Sequence, residues 1–340
     1  MNFRRVLIVV IMFVLGVNLL AQIVLSYEKP SQKELKKAVK TVLYKSSCVF
    51  SDCEERVSAM GVVQRAINNL SPDQWKSYKA LKSDVEVAAA EEEGALYFYR
   101  EAMEKVLKEV KKTKVRPGTV VLWNLYNMGY IVKTPSSTFA IDLIHKHIGD
   151  FAGLLDFALI THSHGDHGSA NEFQAFADAG VPFYAGYNPS VSIEGLNWNF
   201  IEDMTEFSIG GVSIRCNRGD HNASPAGLNM ITIYEIDCGE DTNHAVILHT
   251  GDCYNYEQIN PVKPVDFFIF HSAVGLNRQA AIDKVKPVYA VFSHGWELGH
   301  DVEKWRWTID DLLSKAQNLM NFPSDHVLIP CWGEKIVYKK

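Results

Sequence analysis

Asp156-Phe157-Ala158-Leu159-Ile160-Thr161 runs directly into His162-Ser163-His164-Gly165-Asp166-His167-Gly168. The first half is short and largely apolar, and it reads as a buried strand. The second half places three histidines and an aspartate within six positions. A structural core has no use for that density, because each polar group would need its own buried partner. Gly165 and Gly168 relax the backbone, so a tight loop can aim several side chains at one point. Imidazole suits zinc, and a carboxylate beside it suits zinc, manganese or iron.

Working outward, the same arrangement of apolar run followed by a polar, metal-competent turn recurs. Residues 212–216 lead to Arg218-Gly219-Asp220-His221. Residues 245–249 lead to His249-Thr250-Gly251-Asp252. Residues 288–291 lead to Phe292-Ser293-His294-Gly295. Other runs rich in β-branched and aromatic residues lie at 119–125, 130–133, 138–143, 230–236 and 267–270. Helical patterns intervene at 170–179, 277–284 and 302–320; in the last, Trp305, Ile309, Leu312, Leu313 and Ala316 share one side. Strands alternating with helices predict α/β layers over residues 116–340.

The pattern His-x-His-x-Asp-His, followed in order by His221, Asp252 and His294, resembles the signature of the metallo-β-lactamase superfamily over roughly residues 117–340. The resemblance implies a four-layer αββα sandwich with a one- or two-metal site at one edge. Carried over residue by residue, it implies that His162, His164 and His221 hold a first cation. Asp166, His167 and His294 would hold a second, and Asp252 would bridge the two. The implied cofactor is two Zn2+, with Mn2+ or Fe2+ as alternatives. The implied nucleophile is a hydroxide between them, with Asp166 orienting it or relaying a proton. Asp142, ending the run Phe139-Ala140-Ile141, resembles an early aspartate that braces the site.

Some neighbours of these ligands remain open. Asp220 is a possible oxygen ligand beside His221. His249 reads as a strand cap or a support for metal-bound groups. Cys253 reads as a small buried residue. His271, Trp296 and His300 are candidates for touching substrate. His145, His147, His244 and His326 read as surface histidines.

Residues 27–115 carry no catalytic spacing. Ser31-Gln32-Lys33-Glu34 is a capping-box pattern, and Leu35, Val39, Val42 and Leu43 recur on one helical face. Val57, Met60, Val63, Ile67 and Leu70 repeat that pattern. Ser71-Pro72-Asp73-Gln74 starts another helix. A long charged helix is expected between Glu91 and Lys114. This helical region is expected to pack on the main domain or to shape the mouth of the pocket, with a separate binding module as the alternative. Residues 1–26 form a basic start, an apolar run and small residues, the layout of a signal peptide, or else of a membrane anchor. The expectation is an exported protein, periplasmic or secreted, meeting the membrane only through that segment if it stays uncleaved. Of six cysteines, Cys48 and Cys53 are the nearest pair for a disulfide.

The net charge of −6 gives no support to a nucleic-acid partner, which calls for a basic face. The aspartate at position 252 speaks against a true β-lactamase, and a histidine at 164 speaks against an iron-dependent reductase. The reading is a binuclear zinc hydrolase of a small ester, lactone or phosphoester. The alternatives are a nuclease or phosphodiesterase, a β-lactamase, and a metal-binding protein without turnover. The sequence is silent on oligomeric state.

Overall fold

The computed structural model describes residues 28–45, 53–301 and 304–340. The signal-peptide or anchor segment and Cys48 lie outside them. Among the described residues, no helix is long and apolar enough to cross a membrane.

Two seven-stranded mixed sheets face each other. The first contains β1 (Thr119–Tyr126), β2 (Gly129–Lys133), β3 (Thr138–Ile141), β4 (Phe157–Ile160), β5 (Phe183–Ala185) and β6 (Trp198–Phe200), with β14 (Lys335–Lys339) on the far side of β1. The second contains β7 (Glu206–Ile209), β8 (Val212–Gly219), β9 (Ile231–Asp237), β10 (Val246–His249), β11 (Phe267–His271), β12 (Tyr289–Ser293) and β13 (Val327–Leu328), hydrogen-bonded in sequence order. Alternation along β1 shows why two sheets form. Val120 and Leu122 join the core between the sheets, with Ile214, Ile236, Phe267 and Val291. Val121 and Trp123 point the other way, into an outer core with Val106 and Phe151. Burying both faces of a sheet requires a further layer on each side. The helices provide it, and the result is the expected αββα sandwich.

The helical region contributes α1 (Gln32–Lys40), α2 (Glu54–Asn68), α3 (Pro72–Ala80), α4 (Asp84–Ala90) and α5 (Gly94–Lys112). Capping boxes close at Ser31/Glu34 and Ser71/Gln74, as the sequence predicts. These helices share one continuous core with the outer face of the second sheet: Leu35, Val63, Ile67, Phe98 and Tyr99 pack with Leu248, Phe270, Trp296 and Trp332. Arg56 donates to the Glu334 carboxylate and to the Ile329 carbonyl, with both charged side chains buried. Arg306 donates to the carbonyls of Ile67, Leu70, Glu297 and Leu298. The region is part of the same folded body, not a module set apart.

α6 (Gly149–Ala152) and α7 (Ala170–Ala179) pack on the outer face of the first sheet, while α8 (Arg278–Val285) and α9 (Ile309–Gln317) join the core shared with the N-terminal helices. The last starts later than its sequence pattern, because Thr308 and Asp311 form a capping box there. Trp305 lies outside that helix and is 60% exposed. Cys216, Cys238, Cys253 and Cys331 are buried thiols.

Gly333 sits at φ 84°, and a Cβ there would meet Leu43 Cδ2 at 2.5 Å and Ala102 Cα at 3.1 Å. Here the helical layer and the C-terminal turn are in close contact. Gly333→Ala is therefore expected to destabilise the protein by about 2 kcal/mol or more, through positive-φ strain plus the clash. A urea melt checks it; an unchanged midpoint would mean that the contact relaxes freely.

Candidate metal centre

The loops after β4, β8, β10 and β12 converge. Parallel pairing explains part of this: His249 stands opposite Ile269, and His271 opposite Ser293, so three neighbouring strand ends present their next residues side by side. One cluster of ligand atoms comes from His162, His164, His221 and Asp252, all within 4.8 Å of one another. A second comes from Asp166, His167 and His294 within the same limit. Asp252 stands between them. Its Oδ2 lies 3.8 Å from His162 Nε2 and 3.6 Å from both His221 Nε2 and His294 Nε2, while Oδ1 lies 3.3 Å from His167 Nε2. The structure thus gathers all seven residues singled out in the sequence.

Asp142 organises two of them. It is fully buried, with φ 46°. Its Oδ1 accepts the Thr161 N–H at 2.7 Å. Its Oδ2 accepts the Thr161 hydroxyl at 2.7 Å and the His167 Nδ1–H at 2.8 Å. With its own proton given to Asp142, the Thr161 oxygen receives Nδ1–H of His162 at 2.9 Å. Both rings are thereby fixed in the tautomer whose Nε2 lone pair faces the centre. Gly251 makes room for this: at φ 50°, a Cβ would lie 2.7 Å from Thr161 Oγ1. His249 is a support. Its Nε2 donates to the Met128 carbonyl at 3.0 Å and its Nδ1 accepts from Gly251 N at 3.3 Å, so neither nitrogen is left for a cation. Asp220 is likewise engaged elsewhere, accepting from Asn229 N at 2.8 Å and from Asn255.

The donor set fits a cation on chemical grounds. His162 Nε2, His167 Nε2 and Asp252 Oδ1 are buried with no hydrogen-bond partner. Buried polar atoms left in that state cost about 1–3 kcal/mol each, and a cation supplies what the lone pairs lack. The charges are arranged alike. Burial pushes the His162 pKa well below the usual range, with His167 adding to the effect. Burial also lowers His164, helped by His221. His167 differs: burial opposes its charged form, yet Asp252, Asp166 and Asp142 outweigh it and hold its pKa well above normal, which marks the negative charge gathered where a cation would sit. Burial opposes the ionised form of Asp252 too, but His167 and His294 keep its carboxyl well below the usual range. Non-glycine residues with positive φ, Asp142 and His294 (φ 68°), cluster here, as strained residues do at functional sites.

Two expectations need correction. Trp296 does not touch the cavity. Its ring fills the seam to the helical layer, edge-on to Phe98 and Trp332, with Nε1 donating to Gln64. His145 is not a surface residue. His145 is buried and stacked on Tyr99 at 3.8 Å, and His147 is half-buried, 2.7 Å from Glu91. His271 lies inside the centre: it is 4% exposed, its ring stacks on His294 at 3.8 Å, and it groups with Asp252 and His294. His300 does border the cavity, with Nδ1 2.7 Å from Glu297 Oε2.

That cavity has a volume of about 190 Å³, with Gly165 and Asp166 in its wall. Trp75 and Lys79 from α3, and Tyr126, Glu297 and His300, complete it. Asn127 Nδ2 donates to Asp166 at 2.9 Å and orients it. Sequence reading missed Thr161, Asn127, Trp75 and Lys79 as parts of this site. Asn127 lies in a hairpin turn, where asparagine is common. Nothing local marks Trp75, since its role follows only from the docking of α3.

No protein-family model and no curated protein matches the sequence. Solved structures do. The chain is similar to a possible metal-dependent hydrolase from Veillonella parvula at 12% identity and a TM-score of 0.51, over 64% of this chain and 98% of that one. It is also similar to the metallo-β-lactamase fold protein YhfI from Bacillus subtilis (12%, TM-score 0.49, 65% and 100%). CmlA, a diiron β-hydroxylase from Streptomyces venezuelae, follows (14%, TM-score 0.48, 79% and 59%). Two facing mixed sheets between helical layers, with His and Asp donors gathered where their strands end, make this chain one of the metallo-β-lactamase fold.

Proposed function

We propose that the protein is a metal-dependent hydrolase that uses two zinc ions to cleave a small ester, lactone or phosphoester, and that it works outside the cytoplasm. One observation carries the reading: Asp252 belongs to one group of ligand atoms and lies 3.3 Å from His167 and 3.6 Å from His294 of a second, whose Asp166 also lines a cavity. Two cations held there would lower the pKa of a bound water toward neutrality and stabilise charge developing on the substrate oxygen.

The chain's own residues do the rest. Asp142 and Thr161 keep His162 and His167 in the ligating tautomer. Asn127 holds Asp166 so that its carboxylate borders both the donors and the cavity, in place to orient water or take its proton. Trp75 and Tyr126 give the cavity an aromatic wall, and Lys79, Glu297 and His300 give it polar groups. A volume of about 190 Å³ is below the usual range for drug-sized ligands and suits a small substrate. The export reading rests on residues 1–26.

The test is elemental analysis of the purified protein beside His164→Ala. The expected result is about two zinc per chain, lost in large part in the variant, together with hydrolysis of a member of an ester, lactone and phosphodiester panel. Iron in place of zinc would move the reading toward redox chemistry. No metal after reconstitution would end it.

A further inference from the structure

Three histidines share one local arrangement. Each accepts, at Nδ1, the backbone N–H two residues further on: His145 from His147 at 3.3 Å, His249 from Gly251 at 3.3 Å, and His271 from Ala273 at 3.0 Å. A peptide N–H can only donate, so Nδ1 in each ring offers a lone pair and the neutral ring carries its proton on Nε2. Two of these protons have evident destinations. His145 Nε2 faces the Tyr99 carbonyl at 3.4 Å, and His249 Nε2 faces the Met128 carbonyl at 3.0 Å.

His271 breaks the pattern in one respect. Among the described residues, no protein acceptor meets its Nε2. The ring is buried, lies nearly parallel to His294 (12° between planes, centroids 3.8 Å apart), and has a ring nitrogen within 4.8 Å of ligand atoms of Asp252 and His294. Proximity alone would make it a further metal ligand. The tautomer argues otherwise, since a protonated Nε2 has no lone pair to give and an occupied Nδ1 is turned to its own backbone. We propose that His271 is not a ligand but a neutral hydrogen-bond donor to the negatively charged oxygen of substrate, or of an inorganic anion, at the metal centre. This rests on the hydrolase reading. It adds a donor of the kind that stabilises developing charge when fixed in a water-poor site.

The experiment compares the full chain with His271→Phe, which keeps an aromatic ring against His294, and with His271→Gln, which restores an N–H donor. Zinc per chain is expected to be equal in all three. Affinity of the zinc-loaded protein for inorganic phosphate is expected to fall about tenfold in His271→Phe, the loss of one hydrogen bond to an anion, and to recover in part in His271→Gln. Loss of zinc from His271→Phe would make His271 a ligand and overturn the proposal. Unchanged phosphate affinity with zinc retained would overturn it as well. Long-range ¹H–¹⁵N correlation spectra of the metal-free protein give an independent reading, with the His271 ring assigned by its absence in His271→Phe. A proton on Nε2 is expected, and a proton on Nδ1 would overturn the proposal. A wild-type chain that takes up no zinc would sink the hydrolase reading, while the spectra would still decide the tautomer.

Discussion

Replacing Asp252 with alanine is expected to remove turnover while leaving the chain folded. Asp252 faces four histidine nitrogens at 3.3–3.8 Å, one carboxylate serving both groups of donors. A small apolar side chain there would remove the carboxylate that could serve both groups of donors when cations are held. A loss of about a thousandfold or more in kcat/KM is expected, about 4 kcal/mol of transition-state stabilisation. Zinc content should drop as well. The fold does not depend on this residue to the same degree. The core between the sheets is built from Val120, Leu122, Ile214 and their neighbours, and none of these rests on Asp252. In the presence of chelator, therefore, the melting temperature should change little. Under saturating zinc it should fall, because a ligand bound to the native state stabilises that state by mass action. A variant that hydrolyses the panel at the wild-type rate would remove Asp252 from the mechanism.

The largest expected effect on stability lies away from the metal centre. Arg56, fully buried in α2, faces the equally buried Glu334 across the seam between the helical layer and the C-terminal turn. Glu334 also accepts the Cys331 N–H at 2.7 Å, so the pair pins that turn. Arg56→Leu leaves a carboxylate buried without its cation. Breaking a buried pair from one side costs about 3–5 kcal/mol, which is a large share of the stability of an ordinary domain. The double replacement Arg56→Leu with Glu334→Leu should be less destabilising than Arg56→Leu alone, because the uncompensated charge is then gone. Urea denaturation of the three variants checks this, and a single variant as stable as wild type would show that water reaches the seam.

The sequence carried much of the centre because the chemistry is local. Four donors stand within the loop 162–167, and the other three each follow a strand-like run, continuous before Asp252 and His294 and alternating before His221, a pattern that reads clearly. Asp142 and His249 were legible for the same reason, as polar residues at strand ends. Short strands were not. Phe183–Ala185, Trp198–Phe200 and Val327–Leu328 are too brief to show alternation, and Glu206–Ile209 lies at a sheet edge with half its residues exposed. Nor was anything legible that depends on which surfaces meet. Trp296 sits two residues past His294, and only its packing against Gln64, Phe98 and Trp332 shows that it faces away from the cavity. His145 was misread because its stacking partner, Tyr99, comes from a distant helix. The hydrogen bond from Ala273 to His271 is a local feature, but the backbone path that creates it leaves no mark on residue identity.

Trp75 and Lys79 reach the cavity from a stretch of chain that holds none of the seven donors. Part of the cavity wall is thus supplied from outside the segment that holds the donors, although Gly165, Asp166, Glu297 and His300 come from within it or from just beyond its end. Substitutions on α3 can alter appetite without disturbing reactivity, while changes in the loop 162–167 cannot be made so freely. Lineages that keep the histidine and aspartate arrangement but remodel the helices before residue 116 should diverge in diet while keeping the same teeth.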